Sequence, residues 1–203
     1  MAVDAPMTPD AAVDRGRPSA AVLVADNLRL KQALADAERK IAELEARADE
    51  DPLLGLLNRR GFERELTRSL AYVKRYGVGA ALIFIDLDDF KPINDRQGHV
   101  AGDAVLKAVA QALIGHVRAS DVVARLGGDE FCVILWNVAA GAAVAKAAEI
   151  ETVIAALRIG YVGIELSVGA SAGVAMLVAD AAPSAVIDAA DRAMYARKNA
   201  KRA

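Results

Sequence analysis

The sequence predicts an α/β (α+β) sandwich, in which helices flank a mixed central sheet and a coiled-coil helix precedes the domain. Short apolar runs such as Ala80 to Leu87, typical of buried strands, alternate with longer segments of helical periodicity. Their order is strand, helix, hairpin, helix, hairpin, helix, which favours a sheet with helices packed against it. A heptad pattern between Leu23 and Ala48 sets the N-terminal segment apart from this domain.

Each element of the domain has a local signal of apolar period, turn residues or capping residues. The expected elements are a helix over Arg60 to Tyr76, a strand over Ala80 to Leu87, a helix over Ala101 to Val117, a hairpin around Gly127, a helix over about 139–157, an antiparallel pair of Tyr161 to Leu166 with Val168 to Leu177, and a helix from Ser184, as N-cap, to about Asn199.

Composition limits the classes of function. The net charge of −2 offers no general field for nucleic acid or an anionic membrane surface. No apolar run approaches the roughly 18 residues that a membrane span needs, and no signal peptide is visible. The single cysteine, Cys132, lies in an apolar strand pattern and is expected to be buried, so a disulfide framework is excluded. These features predict a cytoplasmic protein without nucleic-acid or membrane partners.

The chain is expected to divide into three parts. Residues 1–21 carry three of the six prolines without any period, which predicts a disordered tail. Residues 22–49 form the coiled-coil helix, and residues 50–203 form the globular domain.

The heptad pattern favours a parallel homodimer. Apolar residues alternate spacings of four and three, and with Leu23 at position d the a positions are Asn27, Leu34, Ile41 and Ala48. An asparagine at a pairs with its own copy in a parallel, in-register dimer. Asp26 then faces Lys31 of the partner helix, and Lys40 faces Glu45. The alternative is a single amphipathic helix packed on its own domain, but its apolar stripe would be narrow.

The stretch Arg125 to Leu135, RLGGDEFCVIL, reads as a hairpin whose turn holds two glycines and two acids. Gly127 and Gly128 tolerate positive φ and allow a ligand to approach the backbone closely. Asp129 and Glu130 beside that bare backbone can hold a hard cation and a phosphate. A solvated hairpin tip is the alternative interpretation of this stretch alone.

A second group of acids follows the first strand. Asp86 ends the buried strand, at the sheet edge where α/β folds place ligands. A strand-end acid next to a hairpin-tip acid suits divalent cations shared with phosphate oxygens. Asp88 and Asp89 could instead cap the helix that follows, and for Asp89 capping is the favoured interpretation.

The sequence resembles the GGDEF family, the diguanylate cyclases, whose motif stands here as Gly127-Gly128-Asp129-Glu130-Phe131. The resemblance extends from about Asp51 to Arg202 and includes DPLLGLLNRRGF, FIDLDDFKPINDRQGHVAGD and ADRAMYARKNAKR. It implies the palm-like fold of nucleotidyl cyclases and an enzyme that joins two GTP molecules into cyclic di-GMP. Each subunit would bind one GTP, and two half-sites would face each other in a dimer.

The resemblance also implies roles for individual residues. Mg²⁺ (or Mn²⁺) would be held by Asp86, the carbonyl of Leu87, Asp129 and Glu130, with Asp129 also able to accept a proton. Lys91 would offset charge on the phosphates. The substrate-binding set would comprise Asn94, His99, Asp103, Gly127, Gly128, Lys198 and Arg202, and the carboxylate of Asp103 suits guanine rather than adenine.

A further pattern corresponds to the family's inhibitory product site, RxxD. Arg118 and Asp121 stand at the matching separation from the GGDEF turn, and Arg125 completes the expected set. The sequence departs from the family at Leu54, where threonine is usual, at Trp136-Asn137, and at Lys201, where glycine is common. Lys201 adds positive charge near the expected phosphate contacts.

Two other classes of function stay open at this stage. A GGDEF-like domain without turnover could act as a binding module for GTP or cyclic di-GMP. A coiled-coil interaction protein could carry the domain as a passive cap. Nucleotide binding and product formation from GTP would separate the three, and a cyclase for another product is disfavoured by Asp103.

Overall fold

The computed structural model describes residues 20–202, with side chains given for all of these except residues 20–22, 38, 41–47 and 202. The helices are α1 (Ala20–Ala48), α2 (Arg59–Tyr76), α3 (Phe90–Gln97), α4 (His99–Gly115), α5 (Ala140–Ala155) and α6 (Pro183–Arg202). The strands are β1 (Ala80–Asp88), β2 (Val122–Gly127), β3 (Glu130–Trp136), β4 (Ile159–Tyr161), β5 (Ile164–Leu166) and β6 (Gly169–Met176).

The central sheet has four strands in the order β2-β3-β1-β6. Each neighbouring pair is antiparallel, and the parallel element found in residues 20–202 is the single bridge between Leu57 and Ala124. The mixed character expected of the sheet is thus confined to that edge bridge. β1 is central because its apolar run can be buried on both faces.

Alternate residues of β1 face two separate cores. Ile83 and Ile85 pack with α3, α4 and α5 on one face, whereas Leu82 and Phe84 pack with α2 and α6 on the other. The result is a three-layer sandwich of helices, sheet and helices, as the sequence predicted. Cys132 is fully buried in the second core. Within residues 20–202 no helix combines the length and apolar character needed to cross a membrane.

One glycine sets how closely α6 lies on the sheet. A Cβ built on Gly173 of β6 would be 2.0 Å from the amide nitrogen of Met194 and 2.3 Å from the carbonyl oxygen of Ala190. The backbones of β6 and α6 therefore touch directly. This contact fixes the depth of the helix whose C-terminal half carries Lys198.

Two local predictions were wrong, and one helix was missing from the expected order of elements. The helix predicted over Ala101 to Val117 is found as α4, and Gly98, with φ of 84°, separates it from the additional helix α3. Tyr161 to Leu166 does not pair with the following strand: β4 pairs with β5 around Val162 and Gly163, and β6 pairs with β1. Ser184 is not the N-cap, because α6 already includes Pro183, a residue suited to the first helical turn.

The chain divides into two compact units at Leu44 and Glu45. In the first unit, α1 begins at Ala20, so the last two residues of the expected tail are helical. Leu23, Leu30 and Leu34 of the heptad pattern are each more than half exposed in the single chain. Residues 1–19, and the side chains of Ile41, Leu44 and Glu45, lie outside the described part.

Candidate active site

The predicted acids meet at one edge of the sheet. Asp86 of β1 lies opposite Glu130 of β3 on one side and Ser171 of β6 on the other. The next residue along β1, Leu87, donates its amide hydrogen to the carbonyl oxygen of Asp129 at 3.2 Å. The strand register therefore brings the strand-end acid and the two hairpin acids together.

The hairpin turn is shaped by its glycines and by Arg125. Gly127 and Gly128 have φ values of 148° and 52°, and open space lies where a side chain would stand on either. The Arg125 guanidinium donates to the Gly128 carbonyl at 2.8 and 3.0 Å and pairs with Asp51 at 3.0 Å. The turn is thereby fixed with its bare backbone accessible to a ligand.

Negative charge is crowded at this edge. Burial, with the nearby Asp86 carboxylate, raises the pKa of Asp129 above its usual value. Burial also raises the pKa of Glu130, and the charges of Asp86 and Asp129 raise it further. The Arg59 guanidinium, which lies 3.3 Å from the Glu130 carboxylate, opposes this shift. A cation between these groups would relieve their repulsion.

The donor atoms fit a hard divalent cation, since carboxylate and carbonyl oxygens are the ligands that Mg²⁺ prefers. Among the described residues, no three His, Cys, Asp or Glu side chains form a metal-holding group by themselves. The resemblance adds the main-chain carbonyl of Leu87, the residue that follows Asp86 in β1. Lys198 of α6 supplies positive charge at the same place, where it pairs with Asp86 and lies 4.0 Å from Asp88.

The residues expected to read guanine lie on α3 and α4. A Cβ on Gly102 would come within 1.9 Å of the Asn94 side-chain oxygen, so Asn94 packs against the residue that precedes Asp103. Asp103 is half-buried, and His99 is exposed at the start of α4. Lys91 is exposed in the first turn of α3. Asn94 and Asp103 thus lie on adjacent helices that pack together.

Asp89, expected to cap α3, stands at the N-cap position without a capping hydrogen bond from its side chain. Its backbone has φ of 56° and ψ of 28°, a left-handed conformation that differs from the extended one of an ordinary N-cap. The capping interpretation of Asp89 is therefore wrong. Asp88 instead accepts a hydrogen bond from the Ser171 hydroxyl at 2.9 Å.

Comparison with known proteins decides the family. Residues 48–203 match the family described as "Diguanylate cyclase, GGDEF domain". The chain belongs to the GGDEF family. It is 42% identical to diguanylate cyclase TpbB of Pseudomonas aeruginosa over 164 residues, which are 79% of this chain and 38% of TpbB. The chain spans well under half the length of this relative.

Solved GGDEF structures agree with the fold. A sensory box/GGDEF family protein from Caulobacter crescentus is 38% identical, with a TM-score of 0.69 over 75% of this chain and 99% of that one. The coiled coil and GGDEF domain of DgcB from Caulobacter crescentus, in complex with c-di-GMP, has a TM-score of 0.75 at 28% identity. That match covers 86% of this chain and 94% of the DgcB chain.

The RxxD pair of this GGDEF domain lies in the turn before β2. The Asp121 carboxylate accepts the amide hydrogens of Arg118 at 2.9 Å and Trp136 at 3.0 Å, and Arg118 is exposed. Arg125 stands at the other end of β2, where it binds Gly128 and Asp51. Arg125 thus lies apart from the other two residues in the single chain, and its place in the inhibitory site stays a prediction.

Several contacts at the site were not predicted. They include the ion pairs of Arg59 with Glu130 and of Asp51 with Arg125, which join residues 71 and 74 positions apart. Lys201 was expected to add charge near phosphate, but its amine donates to the carbonyl of Ala170 and pairs with Glu151. Arg202 ends α6, and its side chain lies outside the described part. Periodicity carries no signal for such distant pairs.

Proposed function

We propose that this protein is a diguanylate cyclase, which condenses two GTP molecules into cyclic di-GMP and releases two pyrophosphates. The observation that carries the proposal is the convergence of Asp86, Asp129 and Glu130 beside an open glycine turn. Family membership supports the same conclusion, and TpbB is named a diguanylate cyclase. The proposed activity is that of the chain as a whole.

Mg²⁺ or Mn²⁺ would be held by Asp86, the Leu87 carbonyl, Asp129 and Glu130. When bound, the ion supplies positive charge that stabilises the phosphate oxygens of GTP. Asp129 takes the proton from the attacking 3′-hydroxyl as a general base. The hydroxyl oxygen forms a bond to the α-phosphorus of the other GTP as pyrophosphate leaves.

The remaining site residues bind and orient the substrate. Lys198, Arg202 and Lys91 contact phosphates, and Gly127 and Gly128 let the triphosphate approach the turn. Asp103 accepts hydrogen bonds from the N1–H and amino group of guanine, and the Asn94 amide hydrogen-bonds to the remaining polar edge of the base. His99 lies at the ribose or base edge. In-line attack requires positioning more than covalent chemistry, so correct placement accounts for most of the catalysis.

Two subunits must meet, because each half-site binds one GTP. The heptad pattern of α1, with Leu23, Leu30 and Leu34 exposed in the single chain, supports a parallel coiled-coil homodimer. The coiled coil of DgcB is part of its solved structure. We expect α1 to raise the local concentration of facing half-sites.

Incubation with GTP and Mg²⁺, followed by chromatography of the products, tests the proposal directly. Cyclic di-GMP and pyrophosphate are expected from GTP, with no cyclic product from ATP. GTP binding without product would instead favour the binding module, and absence of nucleotide binding would favour the interaction protein.

Replacing Asp86 with alanine tests the metal assignment. We expect the Mg²⁺ concentration for half-maximal activity to rise by roughly tenfold or more, because loss of a group that supports a metal typically costs that much. Rates measured over a Mg²⁺ titration at saturating GTP check the result. Half-saturation at the wild-type Mg²⁺ concentration would exclude Asp86 as a ligand.

Replacing Arg118 with alanine tests product inhibition. The exposed guanidinium can stack on guanine and grip phosphate, so its loss should weaken inhibition by added cyclic di-GMP by roughly tenfold or more, with the initial rate unchanged. Arg68→Ala, which removes an exposed guanidinium from α2, is the control. Equal inhibition curves for Arg118→Ala and wild type would contradict the assignment.

A further inference from the structure

A cluster of charges joins α5, β6 and α6 beside the candidate active site. The Glu151 carboxylate of α5 pairs with Arg197 at 3.0 Å and with Lys201 at 3.1 Å. Glu151 itself is buried, with 8% of its surface exposed. One side chain of α5 therefore binds two cations on successive turns of α6.

The same cluster supplies hydrogen-bond partners for two backbone groups at the open edge of the sheet. β6 is an edge strand, so alternate backbone groups lack a strand partner. Glu151 accepts the amide hydrogen of Ala172 at 2.9 Å, and Lys201 donates to the carbonyl oxygen of Ala170. Glu151 and Lys201 thus tie α5 and α6 to the backbone of one strand.

Lys201 is occupied by the protein rather than directed at a ligand. Its amine contacts Glu151 and the Ala170 carbonyl, and it lies 3.9 Å from Asp88. Lys198, one turn earlier, pairs with Asp86 at the site. The two lysines therefore make different contacts, although both lie at the C-terminal end of α6: Lys198 pairs with an acid of the site, and Lys201 binds α5 and β6.

The contacts between Glu151 and Arg197 favour the charged form of both side chains. Burial alone would raise the pKa of Glu151, but hydrogen bonds from Arg197, the Ala172 amide and Lys201 outweigh it, so the pKa lies below its usual value. The same contacts raise the pKa of Arg197. These contacts of Glu151 hold the last turns of a helix, where fraying is greatest.

We infer that Glu151 is a positioning residue, which holds α6 through Arg197 and Lys201 so that Lys198 stays beside Asp86 in the phosphate-binding site. This inference rests on the proposed function, since it concerns how GTP phosphates are bound. Glu151 acts through other side chains and is not a catalytic residue. Its loss should weaken GTP binding more than it slows turnover.

Glu151→Gln in the full chain is the test. Glutamine keeps the size of the side chain and can still accept from the Ala172 amide, but it removes the charge that binds Arg197 and Lys201. We expect the GTP concentration for half-maximal rate to rise about tenfold, with the maximal rate per folded subunit within about twofold of wild type. A merely structural role would lower the melting temperature and leave half-saturation unchanged.

Glu149→Gln is the matched control. Glu149 is on the same helix but is exposed and pairs with Lys146, away from α6. It should leave both kinetic parameters unchanged. Lys201→Gln provides a second variant if Glu151→Gln does not fold, and the two changes combined should cost less than the product of their separate effects, because they break one contact.

The outcomes separate this inference from the proposed function. Wild-type half-saturation in both Glu151→Gln and Lys201→Gln would overturn the inference while cyclic di-GMP synthesis stands. If wild type makes no product, the proposed function fails. Calorimetric binding of GTP with Mg²⁺ then decides the inference alone, and equal affinity in wild type and the variants would overturn it.

Discussion

Replacing Asp129 with asparagine is expected to abolish cyclic di-GMP synthesis while the protein stays folded. The asparagine side chain has the same size but lacks both the metal-binding charge and the ability to accept the hydroxyl proton. A positioned general base alone typically contributes about 10²–10⁴ in rate, and the metal-binding charge is lost as well. Product formation from GTP and Mg²⁺, measured on purified protein, checks the result.

Stability should not fall with this change. Burial and Asp86 raise the pKa of Asp129, so the charged form is disfavoured in the folded protein and its removal relieves repulsion. The sign follows from linkage: a carboxylate with a raised pKa in the folded state lowers stability when it ionises. We expect a melting temperature equal to or above wild type. Asp188→Asn, on the exposed surface of α6, is the control, and near-normal synthesis by Asp129→Asn would refute the assignment.

The sequence predicted secondary structure best where a residue pattern is typical of only one kind of element. The apolar run of β1 predicted a buried strand correctly, because helices cover both faces of the sheet at that strand. The heptad segment predicted a long helix, found from Ala20 to Ala48. The GGDEF turn was predicted from its glycines, and both have the positive φ that their type allows.

The errors fall where pairing is long-range or a turn interrupts a pattern. The pairing of β6 with β1 joins strands that are about 80 residues apart in sequence, and no local signal reports it. Val162, with φ of 44°, lies in a turn where a β-branched residue is not expected, so the β4–β5 hairpin was missed. Only Gly163 hinted at that turn.

In the candidate site, too, residues in local patterns could be predicted and residues defined by long-range contacts could not. Asp86, Asp129 and Glu130 were predicted to lie close together because they stand at strand ends and in a recognisable motif, and the strand register places them so. Glu151 was missed because a single acid in a helical pattern looks like a solvated surface residue, and its partners lie 46 and 50 positions along the chain. Lys201 could be noticed only as a departure from the family, without the partner that explains it.

Deleting residues 1–44 is expected to leave a folded domain whose rate per subunit depends on protein concentration. The remaining unit keeps the buried Asp49 with its Arg60 contact, and Asn58 still donates to the Ala48 carbonyl. Without α1 the two half-sites must meet by diffusion, whereas a linked pair sees an effective concentration of the order of millimolar. At micromolar protein we therefore expect at least a roughly tenfold lower rate per subunit, rising with concentration, and GTP binding should persist. Sedimentation and initial rates over one concentration series check this.

Matched substitutions in the full chain test whether the heptad seam itself is responsible. Leu34→Asp places a charge at an a position, whereas Leu28→Asp places the same charge at position b, which faces outward in a coiled coil; both leucines are more than half exposed in the single chain. Leu34→Asp should reproduce the concentration dependence of the deletion, and Leu28→Asp should behave as wild type. A deleted protein that is as active per subunit as wild type at high dilution would show that the coiled coil does not bring the half-sites together. Equal effects of the two substitutions would assign the loss to the helix surface in general rather than to the seam.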